Sequence, residues 1–165
     1  MSELPRVAWH DCLKPIAPPK PPADLAPAMF QKGKDIHYRI EAIVGEQQFV
    51  EQELTFNEAQ LPFEIAYHPD IIRQELGVQG YISTRVYEIK PLIWFLKNRV
   101  YCEAQASGYA HFTGAMTADF ILYQGDLDNL QLSVLPVQRI PWDWLRNIAL
   151  RSYQETLTKQ VANPT

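Results

Sequence analysis

The segment Pro141-Trp142-Asp143-Trp144-Leu145, which continues to Gln160, has the clearest structural pattern in this chain. At about 100° per residue, its apolar side chains gather on one stripe and its polar side chains on the other, which predicts an amphipathic helix. Pro141 suits the first helical position, and Asp143 lies in the first turn near the positive end of the helix dipole. Trp144 is the exception, because the helical spacing places it on the polar face beside Arg151.

The composition indicates one folded domain. The chain has 165 residues, of which 47% are hydrophobic and 21% charged, values that exclude disorder for most of its length. The net charge of −4 argues against a nucleic-acid-binding domain, which normally has a basic face. No apolar run is long enough to span a membrane and no signal-peptide pattern occurs, so a cytoplasmic location is expected. Cys12 and Cys102 are accordingly predicted to be reduced thiols.

Residues 1–33 differ in composition from residues 34–165, which are predicted to form a single domain. Repeated prolines fix φ and remove backbone donors, so this leader is predicted to be an extended arm. It also contains apolar residues such as Trp9 and Phe30, more than a solvated linker needs. The arm is therefore expected to lie against a surface, and the sequence leaves open whether that surface belongs to its own domain or to another chain.

Alternating apolar residues predict strands over much of the remaining chain. Gly125-Asp126-Leu127-Asp128-Asn129 has the composition of a turn, and His68 to Gly77 is predicted to form a short helix opened by Pro69. Residues 92–96 fit a strand or a buried helical turn equally well. The predicted strands are residues 36–44, 48–56, 61–67, 78–88, 99–106, 109–123 and 130–137.

These elements predict an α+β fold in which an antiparallel sheet or open barrel of about 7–8 strands packs on the C-terminal helix. Regular alternation of strands and helices is missing from the pattern, which argues against a parallel doubly wound sheet. Whether the sheet closes into a barrel stays open.

The sequence contains no motif that fixes a reaction. Neither a glycine-rich phosphate loop nor a serine flanked by glycines at hydrolase spacing occurs. His10, Asp11 and Cys12 are adjacent, but consecutive side chains on an extended backbone point in different directions, so no metal site is predicted. No cofactor is predicted either. Cys102 alternates with polar neighbours and is predicted to be a small core residue.

Two polar rows are candidate functional surfaces. Glu51 and Glu53 share a predicted strand face, and His37 lies on a comparable face, but cross-strand salt bridges explain both sets. A row of aromatic and basic residues could stack unpaired bases, although the acidic net charge argues against it. This row consists of Tyr81, Ser83, Arg85 and Tyr87.

The favoured function is a non-enzymatic accessory or assembly protein that docks onto a larger protein partner or multisubunit complex. The arm and the C-terminal helix would form the contact, because stiff arms and exposed Trp and Arg side chains are common in protein interfaces. The predicted partner-contact residues are Trp9, Phe30, Trp144 and Arg151.

Two alternatives remain open. A curved sheet could carry a hydrophobic small molecule in an apolar cavity. The predicted ligand contacts are Phe63, Trp94, Phe112, Met116 and Phe120. The least favoured alternative is a small enzyme acting through Glu51, Glu53 or His37. The sequence identifies neither the partner nor the ligand nor the oligomeric state.

Overall fold

A computed structural model describes residues 3–19, 26–44 and 53–162, without the side chains of residues 26–30. These parts form an α+β fold with two separate sheets. The elements in chain order are β1 (Arg6–Ala8), α1 (Trp9–Cys12), α2 (Ala26–Val44), β2 (Leu54–Phe56), β3 (Glu64–Tyr67), β4 (Ile71–Leu76), β5 (Ile82–Pro91), α3 (Leu92–Lys97), α4 (Arg99–Thr113), β6 (Thr117–Gln124), β7 (Gln131–Pro136) and α5 (Trp142–Ala162).

Both sheets are mixed. The small sheet has the order β1-β3-β2, with β1 parallel and β2 antiparallel to β3. The large sheet has the order β4-β5-β6-β7, with β5 and β6 parallel and the outer pairs antiparallel. The predicted single antiparallel sheet or open barrel is therefore wrong, whereas the α+β class and the C-terminal helix are confirmed.

The large sheet lies between two helical layers. Ile36 and Ile40 of α2 pack on one face with Ile71, Ile89 and Ile121. The opposite face packs against α3 and α4 in a larger core, which extends to the small sheet and to α5. Helix α4 is consequently covered on nearly all sides.

The strands predicted at residues 99–106 and 109–123 are wrong over most of their length, because α4 occupies residues 99–113 and only β6 is a strand. Buried positions surround α4 and include Ala104, Ala106 and Ala110, so no polar stripe reveals the period of a helix. The connection β5–α3–α4–β6 also makes β5 and β6 parallel, since parallel neighbours need a crossover.

The strand predicted at residues 36–44 is wrong because these residues belong to α2. Ile36, Ile40 and Val44 face the sheet at a spacing of four residues, which also satisfies a period of two. Tyr38, between the first two of these, is exposed, and this distinguishes the helix from a half-buried strand.

The short helix predicted from His68 to Gly77 is also wrong, because Ile71–Leu76 form β4. The adjacent β-branched residues Ile71 and Ile72 favour a strand, and both are buried. Register with β5 places Ile71 opposite Tyr87 and Leu76 opposite Ile82.

Other predictions are confirmed by the structure. Strand β5 overlaps the predicted strand at residues 78–88, and β7 lies within the predicted strand at 130–137. The turn before β7 closes with the Asn129 N–H donating to the Asp126 carbonyl at 3.1 Å. The ambiguous segment 92–96 is the helix α3.

The described part of the leader packs on its own domain. Strand β1 pairs with β3, and Ser152 Oγ donates to the Asp11 carbonyl at 2.7 Å, which joins α1 to α5. The part of the arm at residues 26–33 is helical, as the first turns of α2. Pro21 and Pro22 lie outside the described residues.

Trp9 is the anchor of the leader. It is 1% exposed, and its Nε1 donates to the Gln105 carbonyl at 3.1 Å. Its ring lies so close to Gly108 that a Cβ there would meet the indole at 2.4 Å. The absence of a side chain at residue 108 is therefore what lets the leader approach α4.

Gly108→Ala is expected to lower the free energy of unfolding by about 1–3 kcal/mol, because the added methyl overpacks against the indole. Gly33→Ala in α2 is the matched control: nothing lies within 4 Å of its added Cβ, and alanine favours helix by about 0.5–1 kcal/mol. Denaturant unfolding of both variants measures the contrast. Equal stability of the two variants would contradict the close Trp9 contact.

Candidate functional site

Two carboxylates lie close together at the start of β4, beside β5. Asp70 precedes β4 and Glu88 lies in β5, on the sheet face that α4 covers. The Asp70 N–H donates to Glu88 Oε1 at 3.0 Å, and the Ile89 N–H donates to Asp70 Oδ2 at 2.8 Å. This reciprocal pairing fixes both carboxylates against the backbone of the other strand.

A lysine and a histidine complete the group. Lys90 follows Glu88 by two residues, so both side chains lie on the same face of β5, and its Nζ is 3.7 Å from Glu88 Oε2. The Lys90 ammonium also lies 5.3 Å from the centre of the Trp94 ring. On the other side, α2 brings His37 Nδ1 to 3.6 Å from Asp70 Oδ1.

The two carboxyls have different electrostatic environments. Burial and the nearby Asp70 charge raise the pKa of Glu88 well above its ordinary value. Burial also disfavours charge on Asp70, but His37, Lys90 and the Ile89 N–H outweigh it and lower the pKa of Asp70. Burial acts against the charge on Lys90 as well, yet Glu88 and Asp70 raise the pKa of its ammonium. Paired acidic groups whose pKa values are driven apart are typical of functional sites.

Tyr109 of α4 lies near this group, and Gln105 of α4 contacts Tyr109. Gln105 Nε2 donates to the Tyr109 hydroxyl at 3.4 Å, and burial together with Glu88 and Asp70 raises the pKa of Tyr109. Gln105 Oε1 is buried and has no hydrogen-bond partner within the described residues. An orphaned acceptor next to a polar group is a position where water or a ligand donor fits.

The arrangement suits a hard divalent cation that keeps some coordination positions open for water and substrate. Among residues 3–19, 26–44 and 53–162, no group of three or more His, Cys, Asp or Glu side chains is arranged to hold a metal ion unaided. Mg²⁺ typically uses one or two protein carboxylates and completes its octahedron with water and substrate phosphates. Asp70 and Glu88 match that smaller requirement.

One residue of this group is among those that the sequence predicted for the enzyme alternative. His37 lies beside Asp70. Glu51 is outside the described residues, and Glu53 is exposed, 3.1 Å from Arg6 and 3.8 Å from His68. The structure does not bring Glu53 to His37 in any contact that it describes.

Asp70, Glu88 and Lys90 were missed in the sequence. A signal was present, because an acidic residue and a lysine two positions apart on one strand face the same side. Glu88 is 3% exposed between the apolar neighbours of β5, and a buried acid demands a reason. Asp70 was hidden because its segment was interpreted as a helix.

The predicted partner-contact residues occupy different environments. Trp9 lies in the core of its own domain, whereas Trp144 is 43% exposed. Arg151 is exposed and pairs with Glu155 at 3.3 Å along α5. The side chain of Phe30 lies outside the described part of the structure. Partner binding itself stays a prediction.

The predicted ligand contacts do not converge on one cavity. Met116 is 74% exposed, whereas Phe120 is buried against Phe95 at 4.8 Å. Phe63 contacts Tyr153 with tilted rings, Phe112 packs on Trp9, and Trp94 contacts Tyr101. A surface cleft of about 480 Å³ lies instead between the leader and α5, and its lining is mainly polar: Lys14, Pro15, Ser152, Glu155, Thr156, Lys159 and Gln160.

Comparison with known proteins supports the fold. No protein-family model and no curated protein matches this chain. Four chains of solved structures match it. The crystal structure of SSO0001 is one of them, with a TM-score of 0.57 and 14% identity, covering 93% of this chain and 78% of that one. At this identity the likeness shows a shared fold and carries no activity. No helix in the described ranges is long and apolar enough to cross a membrane.

Both cysteines are buried and free. Burial and the Asp11 charge raise the pKa of Cys12 to about 12, and burial raises the pKa of Cys102 to about 11. Neither thiol is therefore suited to nucleophilic attack, because the thiolate is the reactive form.

At about pH 8, a thiol with a pKa of about 11 is ionised in about one molecule in a thousand. Native protein is thus expected to react with a chromogenic disulfide reagent far more slowly than protein unfolded in denaturant. Absorbance of the released thiolate measures both rates. A rapid stoichiometric reaction of either thiol in native protein would show that the site is open.

Proposed function

We propose that this protein is a divalent-metal-dependent hydrolase of phosphodiester bonds in nucleic acid. The observation that carries the proposal is the contact between Asp70 and Glu88, with the Lys90 ammonium beside them. This proposal departs from the non-enzymatic function and the absence of a cofactor that the sequence favours, and from its argument that a nucleic-acid partner is unlikely.

The carboxylates would hold the cation. A bound Mg²⁺ or Mn²⁺ supplies an acidified water and polarises a phosphoryl oxygen. The backbone N–H groups of Asp70 and Ile89 already orient one oxygen on each carboxylate. The second oxygen of each side chain faces a basic group, His37 for Asp70 and Lys90 for Glu88, and would turn toward the cation on binding. His37, close to Asp70 Oδ1, would orient that carboxylate further.

Lys90 would stabilise charge rather than accept a proton, because the neighbouring carboxylates favour its ammonium form. In hydrolysis, the water oxygen forms a bond to phosphorus, and the bond between phosphorus and the leaving sugar oxygen breaks. The Lys90 ammonium would offset the negative charge that develops on the phosphoryl oxygens. The attacking water loses its proton to solvent, and the leaving oxygen takes one from solvent.

Charge balance supports a diester as the substrate. An ionised Asp70, an ionised Glu88, a protonated Lys90 and a divalent cation leave one net positive charge. A phosphodiester carries one negative charge and balances it. The acidic net charge of the chain is therefore compatible with a nucleic-acid substrate, because the cation reverses the local sign at the site.

Docking onto a protein partner is kept as a second proposal, for α5 alone. It is supported by the exposed Trp144 indole on the polar side of this helix. Residues 3–16 are engaged in their own domain and no longer support it.

Purified full-length protein is expected to cleave labelled single- or double-stranded DNA or RNA with Mg²⁺ or Mn²⁺, and to stop in excess chelator. Asp70→Asn, Glu88→Gln and Lys90→Met are each expected to lower the cleavage rate about a hundredfold or more, since each removes a charge from the reacting centre. Electrophoresis of the labelled products measures the rates.

Asp143→Asn, Glu155→Gln and Lys159→Met are the matched controls. They make the same chemical changes on exposed parts of α5 and are expected to retain wild-type cleavage. Cleavage at the wild-type rate by all three site variants would refute the proposal, because it would come from another site or from a contaminant.

Metal affinity is expected to rise with pH through the raised pKa of Glu88. Below that pKa the carboxyl holds a proton in the folded protein, and the cation must displace it. Calorimetric titration with Mn²⁺ in two buffers of different ionisation enthalpy measures the released proton. The release should disappear in Glu88→Gln, and an unchanged release in that variant would assign the proton to a different group.

A further inference from the structure

Strand β4 is an edge of the large sheet, and its outer side pairs with no strand among the described residues. Its partner within the described residues is β5. An open edge of this length is a template for another strand unless proline, a bulge or a covering element blocks it. Residues 71–76 contain no proline, and the residue contacts of β4 with other elements are dominated by β5.

The backbone of β4 is oriented for such pairing. The Gly77 N–H donates to the Tyr81 carbonyl at 2.6 Å, in the same register that places Leu76 opposite Ile82. In an antiparallel ladder, alternate residues bond to the neighbouring strand. The backbone groups of Ile72, Gln74 and Leu76 therefore point away from β5.

The side chains of β4 are self-complementary about Gln74. An antiparallel copy centred on this residue places Arg73 opposite Glu75 and Ile72 opposite Leu76 of the second chain. Both charged side chains are partly exposed, and Glu75 is shared by two arginines, 3.2 Å from Arg73 and 3.6 Å from Arg85. Arg73 thus has unused capacity for a second carboxylate.

Exposed apolar residues continue this edge. Leu76 is 78% exposed, and Val78, Tyr81 and Ile82 beside it at the end of the hairpin are also exposed. The opposite edge strand β7 is less suitable, because it ends at Pro136 and has no charged residue to pair with its own copy.

We infer that two copies of this chain associate through their β4 edges, in an antiparallel pairing about a two-fold axis at Gln74. The two Gln74 residues would exchange two backbone hydrogen bonds. The flanking Ile72–Leu76 pairs, in which Ile72 is 6% exposed, would extend the ladder and join the sheets of the two copies into one. Such an isologous contact closes the assembly at a dimer. The inference does not depend on the hydrolase proposal, because it concerns the edge of the sheet and not the carboxylate pair.

Sedimentation velocity of the full-length chain tests this pairing. The wild type should form dimers as its concentration rises. Arg73→Glu and Glu75→Arg should each raise the dissociation constant about tenfold or more, since each places like charges opposite one another twice. A wild type that stays monomeric, or variants that dimerise as the wild type does, would overturn the inference.

Mixing the two single variants is the decisive measurement. Arg73→Glu offers two acids and Glu75→Arg offers two bases, so the mixture should form a heterodimer although each variant alone is weakened. The double variant R73E/E75R restores charge complementarity between two identical chains and should dimerise again. It also keeps an acidic side chain opposite Arg85 of β5 in each chain. Folded variants that fail both to associate on mixing and to recover in the double variant would exclude this register.

Discussion

The carboxyl groups of Asp70 and Glu88 lie close together inside the fold. The surrounding structure offsets the free-energy cost of burying them. Each carboxylate accepts a hydrogen bond from a backbone N–H in the segment of the other. The site therefore forms when β4 pairs with β5. Lys90 supplies the opposite charge, and His37 reaches Asp70 from the far layer of the sandwich. Apolar residues of similar size often stabilise a core as well or better, because they carry no desolvation penalty, so stability alone does not account for this arrangement.

Helix α4 connects this site with the leader. On one side the Trp9 indole enters the space left by Gly108 and donates to the Gln105 carbonyl. One turn later, the Gln105 side chain donates to the hydroxyl of Tyr109, whose pKa is raised by the two site carboxylates. Trp9 of the leader therefore packs on the helix that lies beside the site.

Sequence patterns predicted the elements whose two faces meet different environments. Helix α5 buries Leu145, Ala149 and Ser152 on one side and exposes the other, so its period is visible. Helix α4 is buried on nearly all sides, so its apolar and polar residues show no helical period. Helix α2 has isoleucines at a spacing that also fits a strand. The same wrong assignments of helices and strands concealed the site. His37 was noticed, but Asp70 and Glu88 are eighteen residues apart in the sequence and meet only once β4 is recognised as a strand.

The charge of the chain takes a different meaning once the carboxylates are placed together. An acidic protein repels nucleic acid when its charges are spread over the surface, and this argued against such a substrate. Here two of the negative charges converge where a divalent cation would bind, and the cation would replace local repulsion with attraction. Because burial and the Asp70 charge raise the pKa of Glu88, this carboxyl takes up a proton more readily than usual, which would limit the negative charge of the site without cation. Substrate binding and metal binding would then be one linked equilibrium, in which neither the diester nor the second carboxylate is fully accommodated until the cation is present.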